Sequence, residues 1–170
     1  MEAKKGIVID TDFLSSFFKI GQLNLIFKAF DVKEIFIVKA VLQELEESSF
    51  YDEFLELLSS EENKIMIREI ERVEPSKDFG EGELESISLA KKTDSILLMS
   101  DRDAGELAKD KGVAIVNIPE FLLDCKKRNI ISREEIKKII KDLKEKDFYE
   151  FSEEVKDLLL EWYINLYLIN

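Results

Sequence analysis

Along the first two thirds of the chain, short apolar runs alternate with stretches whose apolar residues recur at helical spacing. Residues 6–10 (GIVID), 34–38 (EIFIV), part of 64–73 (KIMIREIERV), 95–99 (SILLM) and 113–117 (VAIVN) read as strands. Their apolar residues stand on successive positions rather than alternate ones, as in parallel sheets covered on both faces. Residues 13–30 (interrupted at Gly21), 41–58, 82–91, 102–111 and 120–128 read as helices. Strand–helix–strand alternation implies right-handed crossovers and a doubly wound α/β sheet. After Asn129 the pattern is helical only. Ser132 and Glu135 make a capping box for a helix through about Lys146. A last helix over 152–168 carries Val155, Leu158, Leu159, Trp162, Tyr163 and Leu166. That stripe either packs on the core or forms a homodimer interface, and both readings stay open. The expected organisation is one domain over 1–128 with a helical extension, 129–170, packed on it.

Composition narrows the chemistry. A chain of 170 residues, 45% hydrophobic and 36% charged, is long enough to bury a core without disulfides. No apolar run approaches the ~20 residues of a membrane span. The first residues enter a strand directly without an apolar leader, so a cytoplasmic location is the default expectation. There is no histidine and one cysteine, Cys125, which reads as core. Ser-His and Cys-His nucleophiles, His-ligated metals and cysteine zinc cages are therefore excluded. The net charge of -12 looks hostile to nucleic acid, but it is unevenly placed. Residues 44–85 hold fifteen acids against four bases, and residues 126–146 hold nine bases against four acids. The basic segment reads either as an RNA-backbone contact or as a solvated helix face. Pairs such as Glu134–Lys138 and Asp142–Lys146 favour the solvated face.

In a doubly wound sheet, ligands bind outside the C-terminal ends of the strands, where strand order reverses. Four segments each deliver a carboxylate to that edge. Asp10 closes the first strand, Glu44 lies early in the helix after the second, Glu83 opens the helix after the third, and Asp101 follows the fourth. Each has a plainer reading as a helix cap, a dipole complement or a solvated acid. Ser100 and Asp103 form an S-x-x-D capping pattern, which makes Asp103 more structural than catalytic. Together, however, close like charges hold protons unless a cation neutralises them. Oxygen-only donors select a hard cation such as Mg²⁺ or Mn²⁺. One or two such ions suit phosphodiester hydrolysis.

At these residues the chain resembles the PIN-domain family. The segments are VIDTDFLSSF (8–17), IFIVKAVLQELEE (35–47), GEGELESISLA (80–90) and ILLMSDRDA (96–104). The G-x-G-E form at Gly80–Glu83 and the tail LKEKDFYEFSEEVKDLLL resemble an archaeal and bacterial subgroup of predicted nucleic-acid-binding proteins. The resemblance implies a three-layer α/β/α fold with a parallel five-stranded sheet of order 3-2-1-4-5. It also implies Mg²⁺- or Mn²⁺-dependent endonucleolytic cleavage of single-stranded RNA. Asp10, Glu44, Glu83 and Asp101 take the family's catalytic and metal-binding positions, with Asp12 and Asp103 as further candidates. Asp12 stands where Asn or Ser is common and adds charge near the site. Relatives include VapC-like toxins paired with an antitoxin protein, and RNA-processing nucleases. Lys39, Arg102, Thr11 and Ser100 are the candidates for substrate contact.

Two rival readings remain. Asp10-Thr11-Asp12 resembles the D-x-D start of haloacid-dehalogenase-like phosphatases, where the first Asp is a nucleophile. That reading leaves Glu44 and Glu83 without a role, and Gly105 stands where a later acid is expected. The other rival is a non-catalytic PIN module that binds RNA or acts as a scaffold.

Overall fold

The structure is a computed structural model and describes residues 5–58, 64–71 and 73–161. Its contacts divide the chain into two compact units, Met1–Ile118 and Pro119–Asn170.

The first unit is built on five parallel strands in the order β3-β2-β1-β4-β5. They are β1 (Ile7–Ile9), β2 (Glu34–Val38), β3 (Lys64–Arg68), β4 (Ile96–Leu98) and β5 (Ala114–Val116). β1 pairs with β2 through Val8 and Phe36, and with β4 through Ile7–Ile96 and Ile9–Leu98. All three β1 residues are buried, so this strand is covered on both faces, as its unbroken apolar run predicts. Chain order moves outward from β1 to β3, then returns to β4 on the other side of β1. The reversal therefore falls between β1 and β4.

The helices of this unit are α1 (Thr11–Lys19), α2 (Leu23–Phe30), α3 (Lys39–Leu45), α4 (Tyr51–Leu58), α5 (Glu81–Thr93) and α6 (Arg102–Asp110). The break expected at Gly21 separates α1 from α2. Gly21 takes φ +67, a left-handed conformation that costs glycine nothing. α1 buries Phe13 and Phe17, whose rings stack at 5.0 Å. Phe18 meets Phe54 edge-on at 5.7 Å, which ties α4 to α1. α5 lies against β1, β2 and β4, and α6 against β5. α1, α3, α5 and α6 all begin near the C-terminal ends of strands, because each parallel strand must hand the chain to a helix running back.

The second unit contains α8 (Arg133–Asp147) and α9 (Glu153–Leu160), and α7 (Ile118–Lys127) begins at the boundary. The Ser132–Glu135 capping box is formed. The Ser132 N–H donates to Glu135 Oε2 at 2.7 Å, and the Glu135 N–H donates to Ser132 Oγ at 3.2 Å. Ile136, Ile139 and Leu143 form the buried stripe of α8. Its lysines are paired along the helix: Lys137 with Glu134 at 2.9 Å, Lys138 with Asp142 at 2.5 Å and Lys146 with Asp142 at 3.6 Å. The expected Glu134–Lys138 pair gives way to Lys138–Asp142. Asp142 is nearly buried, and a carboxylate there needs the closer cation. The last helix, expected to reach about Leu168, closes at Leu160, where Glu161 turns extended. The Lys126 ammonium donates to the carbonyls of Leu158 and Glu161, satisfying two acceptors at that end. The predicted stripe residues Trp162, Tyr163 and Leu166 lie outside the described residues. Among the described residues, no helix is long and apolar enough to cross a membrane.

Candidate active site

Asp10 is the N-cap of α1, with only 3% of its surface exposed. Its Oδ1 accepts from the Phe13 N–H at 2.9 Å, and its own N–H donates to the Leu98 carbonyl at 3.0 Å. The residue thus joins the ends of β1 and β4 at the switch point. Asp101 is the N-cap of α6 and accepts from the Ala104 N–H at 2.7 Å. This overturns the expected cap pattern, in which Ser100 would cap and Asp103 would answer it. Because Asp101 takes the cap, Asp103 sits exposed in the first turn of α6, and the buried Ser100 hydroxyl has no hydrogen-bond partner among the described residues.

Glu83 is the third residue of α5, and its Oε2 accepts from the Gly80 N–H at 2.8 Å. This is half a capping box, since Gly80 has no side chain to return the bond. Glu44, exposed on α3, reaches across to the start of α5. Its Oε1 accepts from the Gly82 N–H at 3.1 Å, and its Oε2 accepts from the Thr11 hydroxyl. A Cβ on Gly82 would stand 2.6 Å from Glu44 Oε1, so the second glycine of G-x-G-E leaves the space the Glu44 carboxylate fills. One residue thereby ties α1, α3 and α5 together at the strand ends.

The plainer readings of these acids therefore describe their local bonds correctly, and the same bonds gather them. Burial pushes the Asp10 carboxyl up to about 8, against backbone N–H donors from Phe13 and Ser100, and the charges of Asp12 and Glu83 push it further. Glu83 is also raised, first by burial and then by Asp101, Asp12 and Glu44. Asp10, Asp12, Glu44, Glu83 and Asp101 thus share one electrostatic neighbourhood. Among the described residues, no three acids stand close enough to form a ready-made metal cage.

The substrate candidates are dispersed around this edge. Lys39 opens α3 and meets Glu69 Oε1 at 3.5 Å, while Arg102 opens α6 and is exposed. Thr11 serves Glu44, as described. Glu85 escaped the sequence reading. It is bonded by the Ala40 N–H, and its carboxyl is raised by burial and by Glu81 and Glu44. Its position one turn beyond Glu81 was the available signal, but nothing in spacing shows that α3 begins opposite it.

A five-stranded parallel sheet of order 3-2-1-4-5 with acids at its switch point defines an α/β domain of the PIN type. The family model described as DUF3368, a PIN domain, matches residues 6–162, and the chain belongs to that family. PIN domains are generally nucleases that bind nucleic acid and use divalent metal ions. Among solved structures, the chain is similar to a PilT N-terminus domain protein, SSO1118, from the archaeon Sulfolobus solfataricus P2. That match has 21% identity and a TM-score of 0.50, and covers 68% of this chain and 88% of the other. A domain of a functionally unknown protein from Methanocaldococcus jannaschii DSM 2661 matches at 26% identity and a TM-score of 0.47, covering 67% and 91%. No curated protein matches the chain.

Proposed function

We propose that the chain is a Mg²⁺- or Mn²⁺-dependent endoribonuclease acting on single-stranded RNA, with Asp10, Glu44, Glu83 and Asp101 as its catalytic carboxylates. The observation that carries this reading is the meeting of carboxylates from separate segments at the strand ends: Asp10 joins β1 to β4, and Glu44 of α3 bonds Thr11 and the first turn of α5, which carries Glu83. The donor chemistry fits a hard cation: every candidate ligand is a carboxylate, and burial with like-charge repulsion disfavours their ionisation without one. Asp10 and Glu83 would hold the ion, with Asp101 and Glu44 completing the shell and Asp12 and Asp103 at its margin. A divalent ion there would polarise the scissile phosphodiester and help ionise the attacking water. The chain's own part is positional. The caps of α1 and α6 hold Asp10 and Asp101 by one oxygen each, and Glu44 braces the first turn of α5. Lys39 and Arg102 are the groups for the RNA backbone, whereas the Thr11 hydroxyl is engaged by Glu44 and the Ser100 hydroxyl is buried. The reading covers a VapC-like toxin held by an antitoxin as well as an RNA-processing enzyme, since both use the same hydrolytic step.

The test is cleavage of mixed single-stranded RNA with Mg²⁺, Mn²⁺ or EDTA by the wild type, Asp10→Asn and Glu83→Gln. Each substitution keeps size and removes one negative charge, and cleavage should fall ~10²-fold or more. Cleavage that survives EDTA, or survives both substitutions, would overturn the reading. Turnover of a phosphomonoester lost only in Asp10→Asn would point to the phosphatase chemistry, and RNA binding without turnover to a scaffold.

A further inference from the structure

A groove of about 390 Å³ runs between α5 and α6 beneath the segment that follows β3. Leu84, Ile87 and Lys91 line it from α5, Leu107 from α6 and Lys111 from the C-cap of α6, and Phe79 from the overlying segment. Leu84, Ile87 and Lys91 lie at i, i+3 and i+7, so they form one helical stripe. Phe79 and Leu84 also line a second hollow of about 260 Å³ that reaches Glu81, in the first turn of α5. The two hollows thus follow α5 from the turn that carries Glu83 to the turn that carries Lys91. Eight residues of helix make that about 12 Å.

The groove's chemistry is divided. Its floor is apolar, with a half-buried aromatic ring at one side. Lys91 and Lys111 stand exposed on its lining with one acid, Glu74, and neither lysine forms an ion pair among the described residues. Helix dipoles account for lysines in the last turns of α5 and α6. They do not account for two cations lining one apolar groove in a chain of net charge -12. An apolar wall and an aromatic ring suit the face of a nucleobase, and unpaired ammonium groups suit its phosphate. A volume above about 300 Å³ is within the range of small-ligand sites.

We propose that this α5–α6 groove is a nucleotide subsite, holding one base-and-phosphate unit of the RNA away from the scissile bond. The base lies against Phe79, Leu84 and Leu107, and the phosphate meets Lys91 and Lys111. The inference rests on the nuclease reading for its substrate, but its test does not need turnover.

Methyl NMR of the whole chain in EDTA, titrated with uridine and adenosine 5′-monophosphates, reads the groove directly. The methyl resonances of Leu84, Ile87 and Leu107 should shift, and a Lys91→Gln/Lys111→Gln double variant should bind roughly tenfold more weakly. The double variant should also flatten the salt dependence of single-stranded hexanucleotide binding by about 0.7 units, the change expected for one lost phosphate contact. Phe79→Leu should weaken the nucleotides without altering any response to inorganic phosphate. Methyl groups unmoved by nucleotides, or moved equally by inorganic phosphate alone, would overturn the subsite. So would a double variant with unchanged affinity, or a groove that answers only to a protein partner. Failure of the nuclease reading is distinguishable, because no protein would then cleave RNA while the methyl shifts persisted. Failure of the subsite alone would leave the wild type and the double variant cleaving RNA with the same KM.

Discussion

Gly82 carries more of the candidate site than any acidic residue reveals by itself. Its missing Cβ is what lets the Glu44 carboxylate reach the first turn of α5 and accept the Gly82 N–H. The obstructed atoms are the far end of a flexible side chain, so an added methyl group displaces Glu44 rather than the backbone. In Gly82→Ala the helix-propensity gain, up to about 1 kcal/mol, should be offset by loss of the Glu44 bonds, so stability should change by no more than about 1 kcal/mol in either direction. Mn²⁺ affinity, read by calorimetry, should fall. Gly80→Ala is the control, since a Cβ there comes no nearer than 3.7 Å to Glu44 or Glu83. Equal Mn²⁺ affinity in all three proteins would remove Glu44 from the metal shell. The glycine spacing was visible in the sequence as a family feature. Its physical reason was not, because the carboxylate it accommodates lies 38 residues away.

At the scale of elements, two helices show opposite fates of charge. α5 and α6 present Lys91 and Lys111 without acidic partners among the described residues, whereas α8 pairs its lysines along its own surface. The paired set supports the solvated-face reading of residues 126–146. Replacing Lys137, Lys138 and Lys141 together with Gln should leave the salt dependence of RNA binding unchanged. The exposed pairs of Lys137 and Lys141 contribute only a few tenths of a kcal/mol each. Most of any stability loss should come from the Lys138 substitution, after which the nearly buried Asp142 still pairs with Lys146. A salt dependence flattened by about two units would instead assign all three lysines to the RNA backbone.

For the whole molecule, the acids at the sheet edge couple stability to pH and to metal. The Asp10 carboxyl is raised from its ordinary value of 3.8 to about 8, so the native chain keeps a proton there that the unfolded chain has released. Between those values the native state binds more protons, and metal-free stability should fall as pH rises from about 4 to 8, then level off. Glu83, shifted in the same direction, adds to the slope. Denaturant melts in EDTA at a series of pH values should show the decline, and Asp10→Asn should flatten it. Mn²⁺ should oppose it, because ligands must ionise to bind and affinity therefore grows with pH. At a hundred times Kd the ion should add about 2.7 kcal/mol. A pH profile identical in wild type and Asp10→Asn would mean that Asp10 is ionised throughout.

The order of strands and helices in the first unit was determined by local pattern, because apolar runs of strand length and amphipathic spacing are properties of neighbouring residues. So were the break at Gly21, the cap at Ser132 and the arrival of acids at strand ends. Only the tertiary structure decided how those acids are held, since each bond depends on what lies opposite. Asp101 rather than Ser100 caps α6, Glu44 crosses from α3 to Gly82, and Glu85 meets the start of α3. The parallel sheet brings together segments tens of residues apart, so burial and mutual repulsion of their carboxylates arise only when strand order reverses beside β1. The same packing of α5 on α6 makes the groove at Phe79, which no run of sequence marks as a site.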